Sequence, residues 1–251
     1  MNKLISIILP YYRKKKFITK TLSSIYSQSY KNFELIIIYD DKNKDDFIFI
    51  NNYIKSQRLK NVCIINNKKN IGVGLSRNLG VNKSRGEFIA FIDADDYWLK
   101  NKLKHQINFM IKKKIDFSHT SYFIVDELNK KIKEININKK INHKQLLRSC
   151  DIGLSTVMIK KKILKNLRFS PLKTKEDYVL WLKLSKKKIG LYGIQKHLTC
   201  WRETSNSLSS SILQKLINAF EVYNLYLKFN FIKSIFFTFI LSINAIKKRY
   251  L

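Results

Sequence analysis

Three carboxylates in the order Asp93-Ala94-Asp95-Asp96 close a short apolar run, residues 88–92, and Tyr97-Trp98 follows at once. The run is β-rich and preceded by Gly86-Glu87, so it reads as a buried strand. In an open α/β sheet, ligands bind in the crevice outside the carboxyl ends of the strands. Carboxylates placed there suit a hard divalent cation such as Mg2+ or Mn2+, which takes oxygen ligands and leaves positions for substrate phosphates. The plainer alternative is that Asp95 or Asp96 caps a helix starting near Trp98, since Asp is a favoured N-cap residue. A second acid pair, Asp40-Asp41, ends the run 34–39. A third, Glu176-Asp177, opens the apolar stretch 178–184, where Asp177 taken alone reads as a helix N-cap.

Regular elements must position these acids. Strands are expected at 4–9 (ended by Pro10), 34–39, 61–65 and 88–92. Helices are expected at 17–29, where Ile18, Leu22, Ile25 and Tyr26 share a face, and at 47–56. The Gly-punctuated segment 70–80 leads into another helix. Strands alternating with helices, each strand nearly continuous in apolar residues, imply a parallel sheet covered on both faces. Gly72-Val73-Gly74 is not a dinucleotide fingerprint: the third glycine is missing and no strand precedes it. Beyond residue 100 a helix at 98–114 and a strand at 117–125 are expected. They are followed by a polar loop or weak hairpin at 126–143, a strand at 153–159 and a helix at 178–184.

The chain has 251 residues, enough for one domain with an appendage, and a formal charge of +31. Lys and Asn are spread throughout, so compositional bias is the first explanation of that charge, an anionic membrane surface the second and nucleic acid the last. No Arg-rich arm, Cys/His finger or aromatic RNA-binding strand supports nucleic acid. Cys63, Cys150 and Cys200 are scattered and show no metal-ligand spacing with the four histidines, which points to a reduced cytoplasmic setting without zinc. No signal-peptide pattern stands at the N-terminus. From 212 on the character changes. Leu213, Leu216, Ile217, Phe220, Tyr223 and Leu227 recur at helical spacing, and the apolar run 235–246 is flanked by Lys233 and Lys247-Lys248-Arg249. That run is too short to span a bilayer, for which about 20 residues are needed. It either lies in a membrane interface or packs on protein.

The order of motifs resembles the inverting family 2 glycosyltransferases of the GT-A fold, in particular bacterial members that build surface polysaccharides. The resemblance rests on Ser6-Ile7-Ile8-Leu9-Pro10-Tyr11-Tyr12, Ser23-Ser24-Ile25-Tyr26-Ser27-Gln28 with Asn32-Phe33-Glu34, Asp40-Asp41, and Asn70-Ile71-Gly72 with Ser76-Arg77-Asn78. It continues through Gly86-Glu87-Phe88 to Asp93-Ala94-Asp95-Asp96, Leu154-Ser155-Thr156, Glu176-Asp177-Tyr178, and Trp201-Arg202 with Ser207-Leu208-Ser209. It runs in order over residues 3–210.

This resemblance implies an α/β fold with a mostly parallel nucleotide-binding sheet and a C-terminal amphipathic helical tail. The implied division is a transferase domain over 1–211, with a donor half at 1–100 and an acceptor and base half at 101–211, then a tail at 212–251. Pro10, Tyr12 and Asp41 would hold the nucleotide base and ribose, with Asp41 accepting from the uracil N–H. Arg77 would lie near the nucleotide, Asp93 at the ribose and Asp95 on a Mn2+ or Mg2+ ion bridging the donor diphosphate. Asp177 would be the catalytic base, with Glu176 its alternative, and Arg202 would face the diphosphate. The implied donor is a UDP-sugar and the acceptor a glycan or lipid-linked saccharide, at the cytoplasmic face of a membrane and without nucleic acid. The chain departs from the usual pattern at Arg13 (usually Asn), at Lys42-Asn43 (usually Gly-Ser) and at Cys200-Trp201 before Arg202. The other readings are a nucleotidyltransferase and a basic nucleic-acid-binding protein.

Overall fold

The computed structural model describes residues 3–204 and 212–250, with the backbone alone for 249 and 250. Ser207-Leu208-Ser209 and the Arg249 side chain lie outside the described residues. The first half alternates β1 (Ile5–Tyr11), α1 (Lys15–Tyr26), β2 (Phe33–Tyr39), α2 (Lys44–Ser56), β3 (Val62–Asn66), α3 (Val73–Lys83) and β4 (Phe88–Phe91). There follow β5 (Tyr97–Trp98), α4 (Lys102–Lys112), β6 (Phe117–Val125), β7 (Lys131–Ile135), β8 (Lys140–Ile141), α5 (His143–Leu146), β9 (Met158–Lys160), α6 (Glu176–Lys186) and β10 (Leu191–Arg202). Helices α7 (Ile212–Glu221) and α8 (Phe231–Tyr250) end the chain.

The strands form one sheet in the order β3-β2-β1-β4-β9-β6-β10-β5, with β7 on β6 and β8 on β10. Strands β3, β2, β1 and β4 are parallel, and β10 is parallel to β6. Strand β9 runs antiparallel between β4 and β6. The side-chain period of two sends Ile5, Ile7 and Leu9 of β1 to one face, where they pack with Ile18, Leu22 and Ile25 of α1 and Ile50 of α2. Ile8 faces the other side, with Val81 of α3 and the apolar face of α6. Each buried Ile or Leu contributes roughly 1.5–3 kcal/mol, so both layers hold the central strands firmly.

Several motif residues stabilise the sheet and do not line the cleft. The Ser6 hydroxyl donates to Glu34 at 2.6 Å, Arg85 donates to Glu34 through its backbone N–H at 2.6 Å and Nε at 2.8 Å, and the Gly86 N–H donates back to Ser6 at 2.8 Å. These bonds tie β1, β2 and the approach to β4 together at the N-terminal end of the sheet, opposite the acids.

The structure departs from the expected elements in four places. The helix expected at 98–114 begins at Lys102, because Tyr97-Trp98 pairs with Cys200 and Thr199 of β10. Its N-cap is Asn101, so neither Asp95 nor Asp96 caps it. The strand expected at 153–159 is a 3-10 turn over Leu154–Thr156 followed by the shorter β9. The twelve-residue β10 was not anticipated: Gln195-Lys196-His197 breaks its apolar pattern where its pairing with β6 shifts register. The apolar run of the tail is the middle of a 20-residue helix, yet no helix of the described residues is long and apolar enough to cross a membrane.

Candidate active site

Register brings the first acids together. Tyr11 of β1 pairs with Tyr39 of β2, so residues 12–14 and 40–41 leave the sheet side by side. Ile8 pairs with Phe91 of β4, which carries the 93–96 acids to the same edge. The crevice between β1 and β4 is where the strand order 3-2-1-4 reverses, the usual place for a ligand in an open α/β sheet.

Within each acid pair, one residue is held by several hydrogen bonds or an ion pair and the other keeps a freer carboxylate. Asp40 is buried and accepts from Asn67 Nδ2 at 2.7 Å and from the N–H groups of Ile71 and Gly72 at 2.9 Å. It thereby shapes the turn into α3, whose N-cap Gly72 has φ 87°, a conformation that costs glycine little. Asp41 is also buried, yet its Oδ2 accepts no hydrogen bond from the described residues; Arg13 Nε stands 3.9 Å away. The Asn43 N–H donates to Asp41 Oδ1 at 3.3 Å. A buried carboxylate oxygen without a donor is costly unless a ligand supplies one. Pro10 is buried beside this corner, and Tyr12 is half-buried with Arg13 over its ring.

Asp96 is wholly buried. The Ser155 hydroxyl donates to its Oδ2 at 2.5 Å and the Arg202 N–H to its Oδ1 at 2.8 Å. Burial and the neighbouring acids Asp95 and Asp93 push its carboxyl well above the usual range. Asp96 therefore joins the end of β10 to the β4 loop. Arg202 is buried with it and donates from Nε to the Asp95 carbonyl at 2.8 Å. Its Nη1 reaches the Asp126 and Glu127 carbonyls at 3.0 and 3.1 Å, and its Nη2 reaches Asn129 Oδ1 at 2.9 Å. A guanidinium has five N–H donors: one serves the Asp95 carbonyl, three serve the 126–129 turn, and one has no partner among the described residues.

Arg77, on α3, bridges the two halves of the site. Its Nη2 pairs with Asp93 at 2.6 Å and its Nη1 with Glu176. α3 lies close against α6 and the loop before it because position 74 is glycine: a Cβ there would lie 2.1 Å from the Ser170 carbonyl oxygen and 3.3 Å from Glu176 Cβ. Glu176 is thus committed to Arg77. Its neighbour Asp177 accepts the Tyr178 N–H at 2.7 Å and remains part-exposed. Burial first, then repulsion from Glu176, push the Asp177 carboxyl up to about 7, although Arg77 pulls the other way. A carboxylate with that affinity is suited to accept a proton near neutral pH.

Asp95 differs from its neighbours. Burial raises its carboxyl, partly offset by Lys14, whose Nζ lies 2.8 Å from Asp95 Oδ2. No cluster of three or more metal-type side chains forms among the described residues. An all-oxygen site of one or two carboxylates completed by substrate phosphates is nonetheless what Mg2+ and Mn2+ commonly use. Asp95 already attracts a cation into the switch-point crevice, so the residues present fit such an ion.

The fold brings Asp93 and Asp95 to the cleft with Arg202 behind them, and links Asp177 to Asp93 through Glu176 and Arg77. Sequence reasoning missed Lys14, hidden in a Lys-rich background, and gave no role to Ser155, which also accepts the Asp93 N–H at 3.0 Å.

A mostly parallel sheet with acids at its switch point and a remote, partly exposed carboxylate is the arrangement of an α/β enzyme. The profile of Glycosyl transferase family 2 matches residues 6–168, and the chain belongs to that family. It is a glycosyltransferase of the GT-A fold. It is 38% identical over 216 residues to the Escherichia coli UDP-Glc:alpha-D-GlcNAc-diphosphoundecaprenol beta-1,3-glucosyltransferase WfaP, covering 86% of this chain and 83% of that one. It is 29% identical over 247 residues to the Bacillus subtilis putative teichuronic acid biosynthesis glycosyltransferase TuaG, covering 98% and 97%. Among solved structures, S. aureus TarS 1-349 in complex with UDP-GlcNAc superposes with a TM-score of 0.71 at 22% identity, over 88% of this chain and 65% of that one. The Pyrobaculum calidifontis mannosyltransferase PcManGT, solved with GDP-Man and Mn2+, has a TM-score of 0.71 at 10% identity, over 92% and 66%.

Proposed function

We propose that the chain transfers a sugar from a UDP-linked donor to a lipid-diphosphate-linked saccharide, with inversion, on the cytoplasmic face of a membrane. The observation that carries the donor reading is Asp41 Oδ2 in its buried corner, which has Arg13 3.9 Å away but accepts no hydrogen bond from the described residues. One free carboxylate oxygen accepts one N–H, which matches uracil N3–H. Cytosine presents an acceptor at that ring position, and guanine offers two adjacent donors. The relatives WfaP and WfgD, both named for UDP-Glc and a diphosphoundecaprenol acceptor, support the same reading. In a thermal-shift series with Mn2+ present, UDP should raise the melting temperature more than GDP or CDP. A ligand at 100 times its Kd adds about 2.7 kcal/mol of apparent stability. Equal shifts from all three would count against a uracil site.

The acceptor hydroxyl attacks the anomeric carbon as the bond to the UDP oxygen breaks, and its proton passes to Asp177. One displacement inverts the configuration. Pro10, Tyr12 and Asp41 hold the base and ribose, Asp93 stands at the ribose side, and the remaining Arg202 donor faces the diphosphate. A bound divalent ion at Asp95 supplies charge compensation for the departing diphosphate. Activity should vanish in excess EDTA and return with Mn2+ or Mg2+, and Asp95→Ala should abolish the Mn2+-dependent part of UDP binding in a folded protein. Full turnover in EDTA would sink the metal reading.

The tail supports a membrane surface. Its inner face packs on the enzyme, and its outer face carries eleven of the eighteen exposed large apolar side chains among the described residues. Phe231, Ile232, Phe236 and Phe239 are each more than half exposed, with Lys233 and Lys247 at the margins. Apolar insertion plus about 1 kcal/mol per surface-proximal lysine would hold such a face on anionic lipid. Removing the tail would strip Tyr223 and Leu241 from the core and uncover Tyr178, so substitution is the cleaner test. The chain should sediment with anionic vesicles, less so at high salt, and Ile232→Ser/Phe236→Ser/Phe239→Ser should not. Equal sedimentation of both would leave this face to another protein.

A further inference from the structure

The run Arg13-Lys14-Lys15-Lys16 leads from β1 into the first turn of α1, and each of its four cations faces an acid. Arg13 Nε lies 3.9 Å from Asp41, Lys14 Nζ 2.8 Å from Asp95, Lys15 Nζ 3.6 Å from Asp46 and Lys16 Nζ 2.5 Å from Glu127. The placement opposes local preference. Lys14 is the N-cap and Lys15 and Lys16 stand in the first turn of α1, which has no acidic residue and no side-chain cap. Cations are unfavourable at a helix N-terminus, so the acids of the cleft must offset that cost. Sequences break such local rules mainly at functional sites. Lys14 is the most enclosed of the four: its side chain is 21% exposed, and its Nζ also donates to Thr204 Oγ1 at 3.3 Å.

We propose that Lys14 is the resident counter-ion of the donor site, competing with the divalent cation for Asp95 and moving onto the donor diphosphate when cation and donor bind together. This rests on the reading of Asp95 as the metal ligand. The ammonium and a divalent ion cannot both occupy Asp95 Oδ2. Without a donor, Asp95 is the acid that Lys14 contacts, so the ion must displace a satisfied charge. With a diphosphate present, Lys14 has a second anion to contact and the displacement becomes favourable. Metal and donor binding are then coupled, and thermodynamics makes the coupling reciprocal. The device would keep the empty site from holding metal and let the nucleotide diphosphate call it in.

The test is Mn2+ titration by electron paramagnetic resonance, with and without saturating UDP, on the full chain. In the wild type, UDP should tighten Mn2+ binding at least about tenfold, within the ordinary range of coupling between sites. Lys14→Met keeps the stem and loses the charge. Without UDP it should bind Mn2+ at least about fivefold more tightly than the wild type, and UDP should then tighten the binding by a smaller factor than it does in the wild type. Lys14→Gln, checked by circular dichroism, serves if the first variant does not fold. Unchanged Mn2+ affinity in a folded Lys14 variant overturns the proposal. Asp95→Asn separates this from the parent reading: if it binds Mn2+ and UDP as the wild type does, Asp95 is not the ligand and both fail. If it binds poorly while the Lys14 variants behave as wild type, only the counter-ion role fails.

Discussion

Asp177→Asn is expected to lower turnover by at least about 10²-fold while UDP still binds, because positioned base catalysis is typically worth about 10²–10⁴-fold. The pH profile provides the second readout. Burial and Glu176 raise the Asp177 carboxyl to about 7, so the rate should climb as pH rises through that value. The amide variant should lose this limb. Glu176→Gln removes the neighbouring repulsion, and the limb should then move to lower pH. The same shift has a stability consequence of defined sign. The folded state holds this proton more tightly than the unfolded chain does, so the unfolded chain binds fewer protons between about 4 and 7. The contribution of this group is therefore fully present below about 4 and is lost as pH rises to about 7. A larger fall in turnover for Glu176→Gln than for Asp177→Asn would show that the roles are exchanged.

Arg77→Met should be the most damaging substitution to the fold of the cleft. Arg77 is 3% exposed and pairs with both Asp93 and Glu176. Removing one partner of a buried ion pair leaves uncompensated charge and costs about 3–5 kcal/mol. Asp93 is one-third exposed and water can partly satisfy it, so most of the loss should come from Glu176. Urea denaturation should show a lowered midpoint with an unchanged slope, and adding Glu176→Gln should recover part of the loss. Arg77→Met with wild-type stability would mean that water or Lys175 takes over the pair.

The parallel core was legible because β1, β2 and β4 are short apolar runs ending in polar residues, and because 3.6-residue periodicity marks α1. The acids could be placed at strand ends for the same reason. Register between strands far apart in sequence was not legible, so nothing in the chain announced that Asp96 would serve β10 or that Arg202 would spend most of its donors on the 126–129 turn. β10 was missed because Gln195-Lys196-His197 interrupts its pattern at a shift in register. Lys14 was invisible for a statistical reason: among 49 Lys and Arg residues, one more carries no signal until a partner is seen. The tail left open whether it lies in a membrane interface or packs on protein, because one apolar run serves either; its helices pack one face on the enzyme and leave another exposed.

The place of β9 has a consequence for how the chain is made. This strand fills the gap between β4 and β6, yet Met158 lies 67 residues after Phe91 along the chain. Until the ribosome has delivered it, β4 has an unpaired flank made of Phe88, Ile89, Ala90 and Phe91, all wholly buried in the finished enzyme. An open apolar strand edge is a template for association with other chains. At a synthesis rate of about 5–20 residues per second, that exposure lasts for several seconds in every round of translation. The growing chain therefore has a stretch of time in which protection by a chaperone matters most, and it closes when three residues, Met158 to Lys160, slide into the middle of the sheet.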